Sequence, residues 1–306
     1  MRRPSALGAL VVAGLVALAG CAGPGEARED RPTIVVTTNI LGDVVENVVG
    51  EAADVTTLMR ANADPHSFEI SAREASLMDR ADLLVSNGLG LEEGLQHHLD
   101  RASATGVRTF VAGDRIDVIA YSEGRSDGAP DPHFWTDPRR VNDIVDALEG
   151  DVLDIEGIDR AAVQAGAGRY RAELSELDDE MAAAFAAVPA ERRALVTNHH
   201  VFGYLAERFD FRVLGAAVPG GTTLASPSAA DLDELASVIA DTGVPAIFAE
   251  SSQPDRLVRV LASETGTDVE VIELFTESLS EPGQGADNYL AMMRANTERI
   301  VDGLSS

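Results

Sequence analysis

The sequence predicts an α/β fold of two lobes, each a mostly parallel sheet flanked by helices, joined by one long helix. Short β-rich apolar runs alternate with helical patterns from Thr33 onward, as βαβ units require. The same rhythm returns in the second half of the chain, after an Ala-, Glu- and Leu-rich stretch of another kind.

The first series places strands near Thr33 to Thr38, Val55 to Leu58, Leu83 to Ser86 and Arg108 to Val111. Helices fall between them near Leu41 to Val49, Ser71 to Asp79 and Glu92 to Ala102; none is assigned between 112 and 160. In the second series the strands lie near Ala194 to Thr197, Arg212 to Leu214, Ala246 to Ala249 and Val269 to Leu274. Its helices run near Val201 to Phe209, Ala229 to Thr242, Asp255 to Thr265 and Asn288 to Leu304. From Ala161 to Ala187, Tyr170, Leu174, Leu177, Met181 and Phe185 recur at three- and four-residue steps and stripe one helical face, which Pro189 terminates. This divides the chain into a lobe over 33–160, a connecting helix over 161–188 and a lobe over 189–306.

Ahead of the folded part, Arg2 and Arg3 precede an uncharged apolar run from Ala6 to Ala19, too short to span a bilayer as a mature helix. The run ends in Leu18-Ala19-Gly20-Cys21, so small residues sit directly before the only cysteine. A lone thiol forms no internal disulfide, and its placement reads as a lipoprotein cleavage box. Residues 1–20 are then a signal peptide, Cys21 the lipidation site, and 21–32 a flexible tether that holds the protein to the outer face of the cytoplasmic membrane, or leaves it in the periplasm. A formal charge of -27, with no lysine, argues against a nucleic-acid partner.

Four of the six histidines stand in bounded contexts. Asp64-Pro65-His66 and Asp131-Pro132-His133 repeat one tripeptide, in which proline fixes its own φ and keeps the aspartate extended, so each imidazole is presented from a stiff loop. Asp64 and Asp131 are placed to orient those rings as acceptors. His199 and His200 follow an apolar strand, where ligands gather in open α/β sheets; adjacent residues diverge, so only one reaches a shared centre. His97 and His98 lie in a helical stretch with no strand end nearby and read as surface residues. Three imidazoles and a carboxylate make a four-coordinate transition-metal site, with Asp287 and Glu250 as rival carboxylates.

The motifs DPHSFE (64–69), NGLGLE (87–92), DPHFWTDP (131–138), NHHVFGYL (198–205), IFAESS (247–252) and DNYLAMMRAN (287–296) together resemble the zinc and manganese receptors of the TroA-like cluster of ABC-importer substrate-binding proteins. NHHVFGYL and GTTLASPSAADL look most like the AztC-type zinc receptors. The resemblance runs through nearly the whole mature chain. It implies the metal in a cleft between the lobes, held by His66, His133, His199 and Asp287. His200 and Glu250 are left as alternative or supporting groups. It further implies no enzymatic activity and delivery to an ABC permease and its ATPase by a monomeric carrier, with a metallochaperone as a possible loader. Three nitrogens and one oxygen suit Zn2+ as cargo, with Mn2+ second. The long His/Asp-rich loop of many zinc receptors is absent between Ser122 and Ala129. An exported zinc hydrolase with Glu250 as base is the reading from another class; nothing in these residues argues for adhesion.

Overall fold

The computed structural model describes residues 31–121 and 128–305. The signal peptide, Cys21 and most of the tether lie outside the described residues, as does most of the short loop before Ala129. Among the described residues no helix is long and apolar enough to cross a membrane.

Among the described residues two four-stranded parallel sheets form the two lobes. The first contains β1 (Thr33–Val36), β2 (Asp54–Thr57), β3 (Leu83–Ser86) and β4 (Thr109–Val111), in the order β2-β1-β3-β4. The second contains β5 (Ala194–Thr197), β6 (Arg212–Ala216), β7 (Ala246–Glu250) and β8 (Glu270–Leu274), in the equivalent order β6-β5-β7-β8. The inner strands LLVS, ALVT and AIFAE are buried at every position. Such unbroken runs are what a parallel sheet covered on both faces demands. The eight strands fall where the alternating pattern puts them.

Helices α1 (Asn39–Val49), α2 (Ala72–Met78) and α3 (Gln96–Ala104) connect the strands of the first sheet; α6 (Gly203–Phe209), α7 (Ala229–Thr242) and α8 (Arg256–Glu264) serve the second. Local chemistry fixes their starts. Ser71 with Glu74, and Ser228 with Asp231, close capping boxes on α2 and α7, and Gly243 ends α7 at φ 66°. One helix departs from the sequence reading: α4 (Pro138–Leu153) occupies a region to which no helix is assigned. Its signals are present, since Asp137 accepts from the Arg139 N–H, Pro138 opens the first turn, and Val141, Ile144, Val145, Leu148 and Val152 are buried at helical spacing. The Asp-Pro pair that starts it belongs equally to the histidine motif, which masks the cap.

The long helix α5 (Arg160–Ala186) begins on Asp159, whose side chain accepts from the N–H groups of Ala161 and Ala162. Its stripe of Tyr170, Leu174, Leu177, Met181 and Phe185 is buried. It packs on α1 and α4 from the first lobe and on the C-terminal helix α9 (Tyr289–Ser305). At Gly166 the α1 backbone comes so close that a Cβ would stand 2.3 Å from the Val48 carbonyl oxygen. One apolar core therefore runs through both lobes, including Ile34 and Val85 of the first sheet, Phe248 and Leu274 of the second, and the α5 stripe. Smaller cores back each sheet separately, around Leu84 and Met78 in one and Ile247 and Ile239 in the other.

Candidate metal centre

Each functional side chain stands just beyond the C-terminal end of a strand or in the loop that follows it, where parallel sheets expose backbone and side chains to a crevice. After β2 the chain extends by two further bonds, Leu58 N–H to Val36 O and Met59 N–H to Thr37 O, then turns through Asp64-Pro65-His66. Asp64 Oδ1 accepts the His66 N–H at 2.9 Å and so sets the direction in which His66 leaves the loop. His133 follows an equivalent turn in which Asp131 Oδ1 accepts both the backbone N–H, at 2.9 Å, and the ring Nδ1–H, at 2.7 Å. That second bond holds a proton on Nδ1 and turns Nε2 toward the cluster. The Tyr121 hydroxyl lies 3.1 Å from the same Nδ1.

From the other lobe, His199 sits two residues beyond β5. Its Nδ1 is 2.7 Å from Glu250 Oε2, at the end of the neighbouring strand β7. Glu277 arrives on the segment after β8, which the first lobe grips on both sides. The Trp135 indole N–H donates to Thr276 O at 2.8 Å, and Asn39 gives its amide N–H to Ser278 Oγ while accepting the Leu279 N–H.

Four groups thereby converge: His66, His133, His199 and Glu277 bring ligand atoms within 4.8 Å of one another, each residue no more than 1% exposed. Glu277 Oε2 is 3.1 Å from His66 Nε2, and Oε1 is 3.3 Å from His133 Nε2 and 3.4 Å from His199 Nε2. The Nε2 atoms of His66 and His133 are 3.5 Å apart. Ligands about 2.0–2.2 Å from a tetrahedral ion stand about 3.3–3.6 Å from one another, so these separations suit one shared cation. Among the described residues, His199 Nε2 and both oxygens of Glu277 have no hydrogen-bond partner. Buried lone pairs left in this state cost about 1–3 kcal/mol each, and a cation among them satisfies them together.

The electrostatics point the same way. Burial alone lowers the pKa of both His199 and His133. For His199 the nearby carboxylates Glu250 and Glu277 outweigh burial and hold it well above the ordinary imidazole value. For His133, Glu277 and Asp131 also outweigh burial and raise it above that value. Burial raises Glu277, but His199 and His133 outweigh it and hold this carboxyl well below its usual range. The cavity is built to stabilise positive charge among three imidazoles.

Asp287, implied as the fourth ligand, is not brought to this cluster. It is exposed, and its carboxylate accepts the N–H of Gly283 and the side-chain N–H of Asn288. The carboxylate of the cluster comes instead from Glu277, ten residues earlier in the chain. Its signal was available, because strand β8 ends at Leu274 and the strand-end rule that singles out His199 points equally to Thr276-Glu277. His200 also stays out of the cluster: its backbone N–H reaches Gly220 O and its ring lies 6.3 Å from that of Tyr121. Glu250 serves as the carboxylate behind His199 rather than as a ligand or a base facing an open position. His97 and His98 lie against each other on α3, away from the cluster, with ring centroids 3.7 Å apart and planes tilted by 41°.

Residues 34–303 match the family described as ZnuA, zinc-uptake complex component A, periplasmic. The manganese-binding lipoprotein MntA of Halalkalibacterium halodurans is 28% identical over 297 residues, covering 97% of this chain and 96% of its own length. The zinc-binding protein TroA of Treponema pallidum is 30% identical over 287 residues, 91% of each. The solved structure of the periplasmic zinc-binding protein TroA from that organism superposes with a TM-score of 0.81, over 90% of this chain and 99% of the other. The Mn-bound periplasmic metal-binding protein of Candidatus Liberibacter asiaticus does so at 0.79, with 25% identity and coverage of 90% and 100%.

Proposed function

The chain belongs to the ZnuA family of metal-binding substrate-binding proteins of ABC importers, and from that premise we propose that it captures Zn2+ through His66, His133, His199 and Glu277. The observation that carries this reading is the buried convergence of three imidazole nitrogens and one carboxylate at tetrahedral spacing. Four protein ligands close the coordination shell and leave no position for an activated water, so the site holds an ion rather than using it. The ion is cargo. It is delivered to a permease and its ATPase in the cytoplasmic membrane, to whose outer face the protein is tied by lipid on Cys21.

Manganese is the second reading. It is favoured by relatives named for that metal and by Glu277, whose two oxygens both face the cluster and offer a fifth donor to a larger ion. Native mass spectrometry of the metal-free protein titrated with zinc and manganese in competition decides between them. A single zinc per chain, retained against excess manganese and lost in a His66→Ala, His133→Ala double variant, is the expected result. Preferential retention of manganese overturns the zinc assignment, and tight binding in the double variant overturns the site.

A further inference from the structure

A site whose ligands are no more than 1% exposed has to open before an ion enters or leaves, and the seams between the lobes differ in what opening would break. Along one seam Trp135 binds Thr276 O, Tyr289 Oη donates to Trp135 O at 2.7 Å, and Asn39 holds Ser278 and Leu279. All these groups are buried and rest on the shared apolar core. Along a second, Tyr204 Oη donates to the Asp131 carbonyl at 2.9 Å, again inside that core. Parting either seam exposes large apolar side chains as well as polar groups.

Among the described residues the third seam has no such backing. Asp64 Oδ2 accepts the Thr223 hydroxyl at 2.6 Å and the Gln253 side-chain N–H at 2.8 Å, both from loops of the second lobe and both half-buried. The adjacent Thr222 hydroxyl donates to Glu93 Oε1 at 2.9 Å on the exposed rim. These crossings are made by side chains alone. The loop bearing Thr222 and Thr223 is seated on Tyr121, where a Cβ at Gly221 would fall 2.1 Å from the phenol oxygen. The other oxygen of the Asp64 carboxylate holds the His66 N–H, so one side chain bridges a metal ligand and the opposite lobe.

Resting on the metal-carrier reading, we propose that Thr223 and Gln253 form a latch on Asp64 and that breaking it is the opening through which the ion exchanges. Asp64 is the positioning residue of this device: it orients His66 within its own lobe and receives the closing contacts from the other. The latch has an internal control, because the Ser67 hydroxyl donates to the same Oδ2 at 3.0 Å from within the first lobe.

The test is the rate at which zinc passes from the loaded full-length protein to excess chelator in stopped flow. Thr223→Val and Gln253→Leu each speed release by about tenfold, and the pair by more than either alone, since each bond is to a charged acceptor. Thr223→Ser restores the slow rate, and Ser67→Ala changes it by less than about twofold. Stoichiometry stays at a single ion, and the thermal midpoint of each metal-free variant stays near that of the unaltered protein. Release from the double variant at the unaltered rate overturns the latch, as does Ser67→Ala matching Thr223→Val. If the unaltered protein binds neither zinc nor manganese, the carrier reading falls and the latch with it, a result distinct from an ion that is held and released no faster.

Discussion

The two halves of the metal centre are built by different means. In the first lobe each histidine has its own aspartate two residues earlier, so Asp64 with His66 and Asp131 with His133 are local units that the turn itself assembles. In the second lobe the support is remote: His199 leans on Glu250 from another strand, and Glu277 is held by Trp135 and Asn39 from across the molecule. The first half is specified by short sequence and the second by tertiary structure. Tertiary placement therefore decides the one ligand that the motifs do not reveal.

The sharpest way to break this contrast is at the carboxylate. Glu277→Ala is expected to weaken zinc binding by more than about a hundredfold, because a four-ligand zinc site contributes about 10–16 kcal/mol in all. Asp287→Ala is expected to leave affinity unchanged. Competition with a chelator of known affinity reads both, and the reverse ranking would restore Asp287 as the ligand.

Proton competition comes next. The raised His133 and His199 stabilise the metal-free fold below the ordinary imidazole value of 6.5, and that contribution fades as pH rises through their elevated values. The lowered Glu277 contributes above 4.5 and loses its contribution as pH falls through its depressed value. The metal-free cluster is thus most stabilising between about 4.5 and 6.5. An incoming cation must displace the imidazole protons, so zinc affinity falls between about tenfold and a hundredfold per pH unit below neutrality. Calorimetry in buffers of different ionisation enthalpy counts the protons released; no release would contradict the electrostatics.

A smaller effect compares the supporting carboxylates. Asp131→Asn and Glu250→Gln each weaken binding by about tenfold to a hundredfold, since each orients an imidazole without touching the ion. Asp131 also fixes the His133 backbone, so Asp131→Asn is expected to cost more than Glu250→Gln. The smallest effect on the site comes from the shared helix. Gly166→Ala forces α5 away from the Val48 carbonyl and lowers stability by about 1–3 kcal/mol, read as a drop in the thermal midpoint, while zinc affinity per folded molecule is unchanged.

This division also explains what the sequence made legible. Strands such as LLVS and AIFAE are apolar on both faces and announce a covered parallel sheet wherever they occur. The Asp-Pro-His turns carry their own geometry within three residues. Between His199 and His200 the residues themselves leave the choice open, because strand direction and the position of Glu250 decide which ring turns inward. Glu277 is one of many acidic residues in a chain of net charge -27; its place just past β8 marks it as a candidate, and the grip of Trp135 and Asn39 on its neighbours brings it to the cluster. Asp287 stands in a conspicuous motif but spends its carboxylate on the turn at Gly283.

Helix α5 gives the molecule a fixed outline. Twenty-seven residues make a rod of about 40 Å, seated on α1 and α4 along one flank and on α9 along the other. Two bodies bolted to one rod do not swing apart as if on flexible strands. If exchange of the ion parts only the Thr223–Gln253 latch, a transporter that meets this carrier is presented with nearly the same silhouette whether or not an ion is aboard. News of the cargo is then written along a narrow strip of loop at the rim, and a docking partner would have to read texture there rather than overall shape.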